Sequence, residues 1–172
     1  MAKQFLIIDG YNLMHAAGFA RLRYGPGDLE RQRNRFLKSL STELISTERK
    51  LTKVIFDAFE SSGNDQRVFI LDEMTIEFAR SGEDADSLIE YLIQEHSAPK
   101  QILVISSDHR LQKAARKRKA AFIDSDKYWY VLSSRIVDES TAESGKTDLP
   151  EKMDADILDR LQGEIDQIID EE

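Results

Sequence analysis

Aspartate residues follow the apolar segments of this sequence with unusual regularity. The apolar run at residues 5–8 continues directly into Asp9, and the run at residues 54–56 continues into Asp57. Asp108, Asp124 and Asp126 come after the later apolar runs, and Asp86 begins a predicted helix. Carboxylates that share one site repel each other unless a cation lies among them, and Mg²⁺ and Mn²⁺ prefer oxygen ligands. The pattern therefore predicts a divalent-metal site of the kind that supports phosphodiester hydrolysis.

Each acid also has a structural interpretation when it is considered alone. Aspartate is a common helix N-cap and turn residue, so Asp57, Asp86 and Asp124 can each act as a cap. A functional interpretation is favoured more strongly for Asp9 than for these acids, because Asp9 ends a predicted buried strand and precedes Gly10. We interpret His15 as a residue on a helix face. The combination of acids supports a metal site more strongly than any single acid does.

The elements that would position these acids follow from the hydrophobic pattern. Apolar runs at residues 5–8, 54–56, 74–78, 102–105 and 120–123 predict strands, and helical spacing predicts helices over 29–51, 86–96 and 111–119. Alternation of strands and helices is typical of an α/β fold with a mainly parallel sheet. The carboxyl ends of parallel strands form one edge, where ligands bind, so we expect the acids to meet there.

The acidity of the chain is concentrated at one end. The 172 residues carry a net charge of −8, but 13 Asp/Glu and 3 Lys/Arg fall from Asp138 onward, which leaves residues 1–137 with a net charge of +2. We predict one domain over residues 1–137, followed by an acidic linker and a C-terminal amphipathic helix over 138–172. That helix either docks on its own domain or binds a partner, including a second copy of the chain.

The remaining composition excludes several classes of protein. Cysteine is absent from the sequence, so neither disulfides nor thiolate metal sites are expected. No apolar run approaches the length that is needed to span a membrane, and the N-terminus lacks the pattern of a signal peptide. We therefore expect a cytoplasmic protein with no membrane partner.

Basic residues form two clusters that are suited to an anionic polymer. Phosphate contacts supply much of the sequence-independent affinity for nucleic acids, and a solvated helix face is the alternative interpretation of each cluster. The candidate RNA-binding residues are Arg21, Arg23, Lys113, Arg116, Lys117, Arg118 and Lys119.

Four segments together resemble a known family. They are IIDGYNLMH, IFDAF, EFARSGEDADSLIEYLI and ILVISSDHRLQKAARKRKAAFIDSDKYW, and in this order they resemble the NYN branch of the PIN-like nucleases, in particular the YacP-like group, over about residues 3–132. The resemblance implies a three-layer α/β/α PIN-like fold. It also implies a metal-dependent endoribonuclease that uses Mg²⁺ or Mn²⁺ and acts on single-stranded or messenger RNA, with the ribosome as a further partner.

The resemblance also implies roles for individual residues. Asp9, Asp86 and Asp108 match the family's metal-binding carboxylates, and Asn12 matches the asparagine that supports the first of them. Asp57 lies where the family often has an acid or polar residue, and Ser107 matches a small hydroxyl residue. The fourth acid is Asp124, Asp126 or missing, with Asp124 as our candidate metal ligand. The candidate catalytic set is Asp9, Asn12, Asp57, Asp86 and Asp108.

Three further functions compete with this interpretation. A non-catalytic RNA- or ribosome-binding module on the same fold is the main rival. A flap-type DNA nuclease would need helical clamp segments, for which the chain is short. A receiver-like phosphatase would need an Asp-x-Asp nucleophile, whereas this chain has Asp9-Gly-Tyr-Asn.

Overall fold

A computed structural model describes residues 3–58 and 67–141, with side chains up to residue 135. The strands are β1 (Phe5–Asp9), β2 (Thr52–Phe56), β3 (Val68–Leu71), β4 (Met74–Phe78), β5 (Ile102–Ile105) and β6 (Ala121–Ile123). The α-helices are α1 (Gly10–Ala16), α2 (Asp28–Glu43), α3 (Ser46–Arg49), α4 (Ala85–Glu95), α5 (His109–Lys117) and α6 (Ser125–Thr141). The predicted C-terminal amphipathic helix lies outside the described residues.

The strands form one sheet in the order β3-β4-β2-β1-β5-β6. All neighbouring pairs are parallel except β3 and β4. The chain builds outward from β1 on one side through β2 and β4, then returns to the other side of β1 with β5 and β6. This reversal is the topological switch point at which α/β sheets bind ligands, and Asp9 ends the strand at its centre.

Two apolar cores cover the two faces of the sheet. Leu6 and Ile8 of β1 belong to a core that includes residues of α1, α2 and α6, whereas Ile7 belongs to a second core with residues of α4 and α5. Side chains alternate between the faces of a strand, so Asp9 is on the side of α4 and α5. The predicted three-layer α/β/α fold with a mainly parallel sheet is confirmed.

The edge strand β3 was missed by the sequence analysis. It pairs with β4 through a tight turn at Asp72 and Glu73, whose φ angles are +46° and +71°. Glycine and asparagine are the usual signals of such a turn, and neither residue is present at these two positions.

The helix predicted over residues 29–51 was wrong in its length. The structure divides this region into α2 and α3, because Leu44 is extended and Arg49 Nη1 donates to the carbonyl oxygens of Ser41 and Leu44 at 3.2 and 2.6 Å. Ile45, an apolar residue within the predicted helix, is 62% exposed.

Helix α6 continues past residue 137, the predicted end of the domain, to Thr141. Among the described residues, the helices are too short or too polar to cross a membrane.

Candidate active site

Asp9 lies at the carboxyl end of β1 and is only 9% exposed. Its Oδ1 accepts a hydrogen bond from the backbone N–H of Asn12 at 3.3 Å, and its Oδ2 accepts one from Ser106 Oγ at 3.0 Å. Asp9 is thus also the N-cap of α1. The capping and functional interpretations therefore apply to the same carboxylate.

Ser106 is a site residue that the sequence analysis missed. It is fully buried, and its Oγ accepts from the backbone N–H of Asp108 at 3.1 Å while it donates to Asp9. One hydroxyl therefore links two of the candidate metal-binding aspartates. The sequence signal was the first serine of Ser-Ser-Asp after β5, next to the Ser107 that the family resemblance singled out.

Gly10 allows α1 to begin directly against β2. A Cβ atom at this position would lie 2.7 Å from the carbonyl oxygen of Ile55 and would overlap the ring of Phe56. Tyr11 packs edge-on against the same ring, with 4.9 Å between ring centroids. The close approach of α1 to β2 explains the glycine in the Asp-Gly-Tyr-Asn segment.

The Asn12 side chain joins three elements of the site. Its Oδ1 accepts from the backbone N–H of Ser107 at 2.9 Å and from Ser125 Oγ at 2.6 Å. Ser107 Oγ in turn accepts from the backbone N–H of Ser125 at 3.0 Å. Asn12 contacts the Asp9 carboxylate through its backbone N–H, so its side chain positions the loop after β5 and the start of α6.

Asp57 holds the N-terminus of α4. Its Oδ1 accepts from the backbone N–H of Ala85, the first residue of the helix, at 2.9 Å. Asp84, the N-cap, accepts from the N–H of Ser87 at 2.6 Å. Both contacts place Asp86, which lies in the first turn of α4, at the same edge of the sheet as Asp9.

The carboxylates influence one another electrostatically. Burial raises the pKa of Asp9 from 3.8 to about 6; the hydrogen bonds from Asn12 and Ser106 oppose this rise, and the charges of Asp86 and Asp57 add to it. The pKa of Asp86 is also raised, first by burial and then by Asp108, while Arg110 lowers it. Asp9, Asp57, Asp86 and Asp108 are therefore connected through the electrostatic field at one edge.

Asp108 is the N-cap of α5 and accepts from the backbone N–H of Arg110 at 2.6 Å. The Arg110 guanidinium group forms two hydrogen bonds with Glu90, at 3.0 and 2.8 Å. Its Nη1 lies 3.7 Å from Asp84 and 3.9 Å from Asp86. Arg110 is thus a cation beside the acids, and the sequence analysis left it out of the candidate residues.

Asp124, the candidate fourth acid, lies after β6 and is bound by Gln112. Gln112 Nε2 donates to Asp124 Oδ1 at 2.6 Å and to the carbonyl oxygen of Ser106 at 3.0 Å. Asp126 is exposed in the first turn of α6. Of these two acids, Asp124 is linked through Gln112 to the loop that carries Asp108.

The donor chemistry of the site fits a hard divalent cation, although the protein alone does not form a closed cage. Within residues 3–58 and 67–141, no group of three or more His, Asp or Glu side chains is placed to hold a metal ion. Mg²⁺ often binds through one or two carboxylates, with waters and substrate phosphates completing its shell. Asp9 and Asp86 match that donor type, and the charge of Asp86 adds to the rise in the pKa of Asp9.

The predicted RNA-binding residues occupy three places. Lys113, Lys117 and Arg118 line a groove between α4 and α5. The Arg116 guanidinium lies over the Phe122 ring, 5.2 Å from its centroid. The remaining three, Arg21, Arg23 and Lys119, are exposed in connecting segments.

Comparison with known proteins places these features in context. A family model described as a YacP-like NYN domain matches residues 6–168. The crystal structure of Rae1 (YacP) from Bacillus subtilis has a TM-score of 0.56 at 20% identity and covers 95% of this chain and 93% of its own. A Trp-to-Leu mutant of Rae1 (YacP) from Bacillus subtilis has a TM-score of 0.55 at 20% identity, with 92% and 99% covered. No curated protein matches significantly.

Proposed function

The chain belongs to the YacP-like NYN domain family, which has a nuclease-family fold, and on this premise we propose that it is a divalent-metal-dependent endoribonuclease. The observation that supports the proposal most is the placement of Asp9. This buried carboxylate lies at the switch point of the sheet, within the field of Asp57 and Asp86. An acid in this position is costly for the fold, and a bound cation would offset that cost.

The proposed roles divide between holding a cation and positioning its ligands. Asp9 and Asp86 would hold Mg²⁺ or Mn²⁺. Asp108 is the third candidate ligand, and Asp124 is the fourth. When bound, such an ion supplies Lewis-acid activation of water and neutralises charge at the phosphate. Ser106 orients Asp9 and the loop of Asp108 through its two hydrogen bonds. Asn12 and Asp57 act by positioning the loop after β5 and the start of α4.

The proposed substrate is single-stranded RNA, including messenger RNA on the ribosome in the cytoplasm. The exposed basic residues on α5 and in the loop after α1 support an anionic polymer as the partner. The role of the predicted C-terminal helix in self-association stays a prediction, because it lies outside the described residues.

Cleavage of a labelled single-stranded RNA by the purified protein tests the proposal. The assay is run with Mn²⁺, Mg²⁺ or EDTA on the wild type, Asp9→Asn and Asp86→Asn. Glu95→Gln is the control, because it removes an exposed acid from the same helix about 13 Å from Asp86. We expect metal-dependent cleavage that falls at least a hundredfold in the two Asp variants and is unchanged in the control.

Cleavage that persists in EDTA or in Asp9→Asn would overturn the metal-dependent mechanism.

The second candidate function is a non-catalytic RNA- or ribosome-binding module. The observation in its favour is that Arg110 Nη1 lies 3.9 Å from Asp86, where it already supplies a positive charge beside the acids. In that case the metal would strengthen RNA binding without cleavage, even when translating ribosomes are added.

A further inference from the structure

We propose that the groove between α4 and α5 binds the sugar–phosphate backbone of the RNA strand on one side of the carboxylate site. The inference rests on the proposed function and deepens it, because it assigns a path to the substrate beyond the reacting phosphate. The groove has a volume of about 760 Å³. Among the described residues, its charged lining side chains are Glu90, Arg110, Lys113, Lys117 and Arg118.

The groove is continuous with the candidate active site. Arg110 lines the groove, and its Nη1 lies 3.7 and 3.9 Å from Asp84 and Asp86 at the edge of the sheet. At the far end, Arg118 Nη2 donates to the carbonyl oxygen of His96 at 3.4 Å. Arg110 and Arg118 are eight residues apart on α5 and its C-terminus, or about 12 Å along a helix. A strand held at the carboxylates could therefore continue along α5.

The charge of the groove favours a polyanion. Among the described residues, its single lining carboxylate is Glu90, which is already bound by both hydrogen bonds from Arg110. Lys113 and Lys117 are exposed, and neither forms an ion pair with any part of the chain that the structure describes. Arg118 pairs with a neutral carbonyl. Within residues 3–58 and 67–135, three cationic side chains that line the groove thus remain without a carboxylate partner.

The lining also indicates which part of the RNA is bound. In the described part of the chain, no aromatic side chain lines the groove, so stacking of bases, the usual source of base contacts with single strands, is not available there. Lysine acts on phosphate as a flexible point charge. The groove therefore contacts the backbone without regard to sequence, and any sequence preference must come from elsewhere.

The double variant Lys113→Gln/Lys117→Gln tests the groove through binding rather than cleavage. The matched control is Lys38→Gln/Lys50→Gln, which loses the same charge. Lys38 pairs with Asp72 and Lys50 with Glu73, both in the turn between β3 and β4 at the opposite edge of the sheet. Affinity for a fluorescent single-stranded RNA is measured in EDTA from low to high salt, and thermal unfolding confirms that both doubles fold.

Loss of two phosphate contacts should reduce the slope of log K against log[salt] by about 1.4, since each contact on a single strand contributes about 0.7. We expect that reduction and a fivefold or greater loss of affinity at low salt for the groove variant, with a much smaller slope change in the control. Equal slopes for the two doubles would overturn the groove assignment.

The same proteins separate this inference from the proposed function. Cleavage by the wild type, together with equal slopes for the two doubles, overturns the groove and leaves the nuclease intact. A groove-dependent slope without any cleavage by the wild type supports the groove and overturns the nuclease. Absence of RNA binding by the wild type overturns the groove.

Discussion

At the scale of single residues, the site depends on Asp9, a carboxylate whose ionised form is destabilised by burial. Asp9 receives two hydrogen bonds, yet burial outweighs them and its pKa rises to about 6. A group whose pKa is raised in the folded state favours its protonated form there. Its contribution to stability is therefore largest below the unfolded pKa and is lost as the pH rises through the folded pKa.

Asp9→Asn should thus stabilise the metal-free protein at neutral pH. The shift from 3.8 to about 6 corresponds to about 3 kcal/mol, so the advantage of the variant should be small near pH 4 and approach this figure above pH 7. Urea unfolding in EDTA from pH 4 to 8 measures the difference between the two proteins. A difference that does not change with pH would contradict the assigned cause.

At the scale of elements, three of the acids that mark the site also begin or hold a helix. Asp9 caps α1, Asp108 caps α5, and Asp57 reaches from the end of β2 to the first N–H of α4. Unpaired N–H groups at a helix N-terminus attract such acceptors. The helices that leave the sheet edge therefore gather the carboxylates as a consequence of their own capping.

Substitution of Asp57 separates its capping contact from a role in the proposed metal site. Asp57→Ala leaves the N–H of Ala85 without its acceptor, so we expect a loss of about 1 kcal/mol in stability and about tenfold in cleavage as Asp86 shifts. Asp57→Asn retains an acceptor and should keep most of both. Urea unfolding and the RNA cleavage assay provide the two readouts. A stable Asn variant that is as inactive as Asp57→Ala would instead assign Asp57 a role through its charge.

At the scale of the whole molecule, acidic and basic regions alternate. The acids collect at one edge of the sheet, the groove beside them is basic, and the net charge of −8 originates beyond residue 137. Residues 142–172 carry 11 acids and 3 bases, a net charge of −8. Their repulsion of RNA acts over about a Debye length, roughly 10 Å at 0.1 M salt.

Truncation after Thr141 should therefore strengthen RNA binding by roughly threefold to tenfold at 50 mM salt, because repulsion between exposed charges is screened only weakly there. The advantage should disappear near 0.5 M salt. Fluorescence anisotropy over this range measures it, with circular dichroism to confirm that the truncated chain folds. Equal affinities at low salt would show that the tail does not act through its charge.

The sequence by itself determined the α/β class, five of the strands, and the positions of the acids after them. These features can be predicted from short segments of the sequence, because an apolar run, its length and the residue that ends it are all visible within a few neighbouring positions. The parallel arrangement then brings the strand ends to one edge, so the proximity of Asp9 and Asp86 was predictable before any side chain was placed.

The tertiary structure alone decided which polar residues complete the site. The Ser106–Asp9 bond joins residues 97 positions apart, and the Ser125–Asn12 bond joins residues 113 apart. Arg110 precedes the basic run that begins at Lys113, and nothing in the sequence sets it apart, but the packing of α4 against α5 brings it to Glu90 and the acids. Pairings over such distances depend on how whole elements pack, because a single hydrogen bond is too weak to impose them on the chain.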